Sequence, residues 1–138
     1  MNSFSVASVG LLLASSLALA EEKADPIDLA CSECQVANPT TMGMLECQSK
    51  AYEAWDARLN KVYQRVRGHL DPEGKKDLQA AQRDWLKFRD GEFKWTRTAY
   101  GKMEGSIYSL YIAQAKLEVV RSRVRLLQSF VDAAEESH

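Results

Sequence analysis

From Thr41 to about Leu70 the apolar positions Met44, Ala51, Tyr52, Trp55, Leu59, Val62, Val66 and Leu70 are spaced mostly by threes and fours. That is the period of one face of an α-helix, so the stretch reads as a long amphipathic helix. Asn38-Pro39-Thr40-Thr41 before it supplies a turn and a hydroxyl able to cap its first turn. Asp71-Pro72-Glu73 is a second start signal: a capping acid, proline at the first helical position and an acid in the first turn. The helix it opens runs to about Tyr100, with Leu78, Ala81, Trp85 and Phe88 as its apolar stripe. Gly91 inside it costs about 1 kcal/mol relative to alanine. Gly101 to Gly105 breaks the pattern and reads as a plain helix-helix loop, flanked by Tyr100 and Tyr108. Ser106 is then placed to cap a last helix carrying Ile107, Leu110, Leu117, Val120, Val124, Leu127 and Val131. No segment alternates with period two, so the class is all-α, an antiparallel three-helix bundle. Glu21 to Asn38, polar and without sustained periodicity, reads as an irregular N-terminal arm.

The chain has 138 residues. Leu11 to Ala20 is an apolar run ending in the small-x-small pattern Ala18-Leu19-Ala20, with Glu21-Glu22 next. This reads as a secretory signal peptide over residues 1–20, although its n-region lacks Lys and Arg. The run is shorter than the ~20 apolar residues a membrane anchor needs. Residues 21–138 then form a single helical domain, periplasmic or secreted, without a membrane anchor after cleavage. The net charge of -1 is unevenly spread: residues 21–60 carry eight acids against three bases, and the rest is net basic. The bases are interspersed with acids, which argues against a nucleic-acid partner.

In an exported chain the three cysteines, Cys31, Cys34 and Cys47, imply one disulfide and one leftover thiol. A redox reading of Cys31-x-x-Cys34 lacks a preceding strand. A zinc reading lacks ligands, since the histidines are His69 and His138. Those two histidines do not support a nucleophile-base pair, and there is no phosphate-cradling loop. The sequence therefore points to neither an enzyme nor a cofactor.

What stands out is a set of polar residues beside large apolar ones: Asp56, Asn60 and Tyr63 on the first long helix, and Gln82, Arg89 and Asp90 around Trp85 on the second. A guanidinium drawn into a buried layer needs a carboxylate. The expectation is an Asp56–Arg89 ion pair between the two helices, with Asn60, Tyr63 and Gln82 completing its hydrogen bonds. The competing reading makes the same residues a partner-binding surface.

These residues fall in Met44-x-x-Cys47, Ala51-Tyr52-x-x-x-Asp56-x-x-Leu59-Asn60-x-x-Tyr63, Ala81-Gln82-x-x-Trp85-x-x-x-Arg89-Asp90 and Gly105-Ser106-Ile107, followed by Arg123 and Leu127. The set, in this order, resembles the lysozyme inhibitor LprI-like domain of exported bacterial proteins. The resemblance implies a cell-envelope protein that covers a peptidoglycan-cleaving cleft, with a lysozyme or another envelope protein as partner. The acidic segment Glu21 to Asp56, above all the arm near Cys34 and the turn Asn38 to Thr41, would supply the contact. Family spacing favours a Cys34–Cys47 disulfide, with Cys31–Cys47 as the rival pairing. Either closes a short loop and stabilises by about 3 kcal/mol if unstrained. The family's second cysteine pair falls here on Phe93 and Ala115, which are expected to approach each other, and its late threonine falls on Val120. Some relatives are lipoproteins; Asp28-Leu29-Ala30 before Cys31 is not a lipobox. The alternative is a periplasmic helical binding or assembly module with another protein partner.

Overall fold

The structure is a computed structural model that describes residues 24–137. The signal peptide assigned to residues 1–20 lies outside the described residues. Among the described residues four helices follow one another: α1 (Pro26–Ala37), α2 (Thr41–Gly68), α3 (Pro72–Tyr100) and α4 (Ile107–Glu136). The three long helices stand where the three-and-four spacing places them. Thr40 caps α2 by accepting from the Gly43 N–H at 3.0 Å, and Asp71 caps α3 by accepting from the Gly74 N–H at 2.7 Å.

The bundle has four helices rather than three, because much of the expected irregular arm is α1. Its start repeats the chemistry of α3: Asp25 accepts from the Ile27 N–H at 2.9 Å and Pro26 occupies the first turn. Ile27, Cys31 and Cys34 recur at helical spacing, and the first two pack against the core. None of its 12 residues is buried. A helix this short is marginal alone in water, so its partners must hold it. Ser106, expected to cap α4, makes no capping bond; its hydroxyl lies 3.2 Å from that of Thr41 at the start of α2.

Successive helices are antiparallel, which leaves α2 and α4 parallel. Thr41 meets Ser106, Gln48 meets Gln114 and Arg65 meets Glu135, so the register is kept over most of both helices. Their seam is the core: Ala51, Trp55, Leu59, Val62 and Val66 interleave with Leu117, Val120, Val124, Leu127 and Val131. Each fully buried large aliphatic side chain contributes about 1.5–3 kcal/mol. Helix α1 lies along α2, whereas α3 leans on α4 and touches α2 only sparsely. The single buried residue of α3 is Thr96, whose hydroxyl donates back to the Glu92 carbonyl.

The apolar stripe expected on α3 is rotated. Leu78 and Trp85 do pack against the core, but Ala81 is exposed and Phe88 is 57% exposed. The inward face follows Leu78, Gln82, Trp85, Arg89 and Phe93, so two polar residues take places that the apolar spacing alone gave to Ala81 and Phe88. Phe93 meets Tyr52 of α2 edge-on, ring centres 6.1 Å apart, and lies under the Lys116 ammonium of α4. At the α3–α4 turn Tyr100 stacks on Tyr108 and tilts against Tyr111, and Gly105 takes φ 115°, a backbone state that disfavours any side chain.

Two glycines inside helices give opposite expectations. A Cβ at Gly91 meets nothing within 4 Å, so Gly91→Ala raises stability by about 0.5–1 kcal/mol. A Cβ at Gly43 falls 2.7 Å from the Asn38 Cβ under the α1–α2 turn, so Gly43→Ala lowers it. Thermal unfolding of both variants beside the parent checks the pair of signs.

Candidate functional site

The α1–α2 hairpin is fixed at one end by a Cys34–Cys47 disulfide with Cα atoms 5.7 Å apart. Of the two pairings weighed from sequence, this is the one present, and Cys31 is the free thiol. At the other end lies a polar cluster that sequence reasoning missed. Asp28 of α1 accepts from the Trp55 indole N–H at 3.0 Å and from the Arg121 guanidinium at 2.8 Å, while Arg125 reaches its other oxygen at 4.0 Å. Arg121 also holds Glu118 at 2.6 Å, and Arg58 pairs with Asp25. The guanidinium carbons of Arg58 and Arg121 lie 4.7 and 5.8 Å from the Trp55 ring centre. One carboxylate thus ties α1 to both core helices. A repeated Asp-Pro start signal at residues 25–26 and a core-adjacent Arg121 on the α4 stripe were the available hints.

The tip of this stapled hairpin carries exposed apolar side chains. Val36 is 82% and Met42 76% exposed, on either side of the turn, and the carboxylates of Glu33 and Glu46 are exposed beside them. The Thr41–Ser106 contact sets this turn against the α3–α4 turn, where Met103 and Ile107 are also exposed.

The sequence-predicted polar residues do gather, but not as a closed clamp. Asp56, Asn60 and Tyr63 of α2 face Gln82 and Arg89 of α3 across an open groove of about 390 Å³. Among the described residues no ion pair joins Asp56 to Arg89. Arg89 donates instead to its neighbour Asp90, through Nε at 3.0 Å and Nη2 at 2.7 Å. The physical reason is the stand-off of α3 from α2: Arg89 keeps 24% of its side chain in solvent and is not forced onto a carboxylate of the opposite helix. Gln82 turns away from the expected network and accepts from Nε and Nη2 of Arg123 at 3.1 and 2.9 Å. Arg89 and Arg123 both approach the Trp85 ring, at 5.8 and 5.9 Å from its centre.

Three groups in or beside these clusters have displaced titration. Burial pushes the Cys31 thiol up, the Asp28 carboxylate pushes it further and Arg121 partly offsets this. Burial raises the Tyr52 phenol, with Asp56 adding to the effect and Arg89 opposing it. Burial pushes the Arg123 guanidinium down from its ordinary value, and Tyr63 acts the other way.

Because its pKa is raised, Cys31 carries less thiolate at neutral pH than an ordinary thiol, and its thiolate appears only above the usual value of about 8.5. The native protein is therefore alkylated by iodoacetamide more slowly at pH 7.5 than the unfolded, unreduced chain. The native rate climbs with pH beyond 8.5, as followed by mass spectrometry. Equal native and unfolded rates at pH 7.5 would contradict the raised pKa.

The fold has a counterpart among solved structures. A crystal structure of an uncharacterized protein from Burkholderia thailandensis superposes with a TM-score of 0.75 at 29% sequence identity, covering 81% of this chain and 56% of that one. The chain therefore spans little more than half the length of that relative. No curated protein matches the chain. The profile of the lysozyme inhibitor LprI family matches residues 31–127, from the free thiol on α1 to Leu127 in the α4 core. The chain belongs to the LprI lysozyme inhibitor family.

Proposed function

We propose that the chain is an exported cell-envelope protein that inhibits a lysozyme by binding over its cleft. Family membership carries this reading. The geometry that supports it is the stapled α1–α2 tip: a disulfide-fixed turn with two exposed apolar side chains and acceptor carboxylates, suited to meeting a concave site on a basic protein. Export rests on the apolar run Leu11 to Ala20 and on a disulfide, which belongs to an oxidising compartment. The protein acts in this reading by binding, without chemistry of its own. No helix among the described residues is long and apolar enough to cross a membrane.

A second reading, a helical binding or assembly module for another envelope protein, draws on the net charge of only -1, which gives little long-range steering toward a cationic enzyme.

A turbidimetric lysis assay with a c-type lysozyme separates the two. Excess protein is expected to stop lysis. The double variant Val36→Asp, Met42→Asp is expected to need at least about tenfold more protein for the same effect, the loss of one apolar anchor's worth of affinity, without a change in melting temperature. Undiminished lysis at excess protein leaves the second reading standing.

A further inference from the structure

The Gly101 to Gly105 turn, a plain connector by its sequence, shares one end of the molecule with the stapled hairpin tip. The Thr41 and Ser106 hydroxyls lie 3.2 Å apart, and Met42 and Ile107 are the next residues, about 3.8 Å further along each chain. Gln48 meets Gln114 beyond them, so the starts of α2 and α4 stay side by side. Val36 and Met42 on the first turn are thereby joined by Met103, Ile107 and Tyr111 on the second, each about half exposed. Five of the eleven large apolar side chains exposed among the described residues thus gather at this end, while the other six are spread along α1, α3 and α4.

The second turn is braced. Tyr100 stacks on Tyr108 with ring centres 6.2 Å apart, and Tyr111 stands 5.8 Å from each of them. Tyrosines supply contact area at a small cost in side-chain entropy, and packed on one another they have less still to lose. Size then argues that a partner seated on the tip reaches this turn. A stable protein–protein contact covers about 800 Å² on each partner, whereas Val36 and Met42 bury roughly 100 Å² each. The footprint must therefore extend past them, and the apolar surface next to Met42 is the α3–α4 turn. Within that turn Lys102 stands against Glu104, so it adds apolar area rather than charge.

We infer that the lysozyme-binding surface is composite. The α3–α4 turn and the start of α4, through Met103, Ile107 and Tyr111, form a second contact covered by the same lysozyme molecule that covers the α1–α2 tip. This rests on the inhibition reading above, which supplies the partner. The second contact acts by holding the complex together rather than by steering its approach.

The test uses a c-type lysozyme and the double variant Met103→Ala, Ile107→Ala, which leaves the net charge unchanged. Surface plasmon resonance is expected to show dissociation at least about tenfold faster, with the association rate within about twofold of the parent. The lysis assay is expected to need proportionately more protein. Leu126→Ala, an equally apolar exposed position 19 residues along α4 from Ile107, is expected to change neither. A readout that needs no substitution is NMR of methyl-labelled methionine, in which saturating lysozyme shifts both Met42 and Met103. If the parent neither binds nor inhibits, the inhibition reading and this one fall together. If the parent inhibits while the double variant matches it, or Met42 alone shifts, only the composite surface is overturned. A parent that is dimeric by light scattering, with a monomeric double variant, would assign the second turn to another copy of the chain and overturn it as well.

Discussion

The Asp28 carboxylate is the constraint on which the arrangement of this molecule turns. It receives the Trp55 indole N–H from α2 and the Arg121 guanidinium from α4, and so sets the register of a helix that buries no residue of its own. With the Cys34–Cys47 staple at the other end, two fixed points define α1. Hydrogen bonds to charged groups contribute about 1.5–3 kcal/mol each, enough to decide the position of a helix whose intrinsic stability is near zero. The hairpin tip inherits its rigidity from these two points, and a rigid tip loses little entropy when it docks.

The rest of the fold is organised by the α2–α4 seam. Because α3 is long enough to return the chain to its starting end, α2 and α4 run parallel and interleave their valines and leucines along most of their length. Helix α3 itself is weakly inserted: it supplies one buried residue and keeps away from α2. The same stand-off that costs core packing opens the groove between them and leaves Arg89 paired on its own helix with Asp90.

Much of this could be read from residues alone. The three long helices followed from apolar spacing and from the Thr40 and Asp71 caps, and the family pattern led to the Cys34–Cys47 bond. Helix α1 was hidden because a half-exposed helix of 12 residues leaves almost no apolar stripe, even though Asp25-Pro26 opens it as Asp71-Pro72 opens α3. The expected Asp56–Arg89 pair assumed that a guanidinium near Trp85 would be fully enclosed; it is not, and Asp90 suffices. The true inter-helix bond joins residues 93 positions apart, and no local pattern encodes which arginine will meet which acid once α1, α2 and α4 come together.

A double-mutant cycle between Asp28→Ala and Arg121→Ala, read by chemical unfolding, tests the role assigned to the carboxylate most directly. The account predicts a favourable coupling of about 1–3 kcal/mol, with each single variant destabilised. Additive effects, with a coupling within about 0.3 kcal/mol of zero, would contradict the role assigned to the Asp28–Arg121 pair.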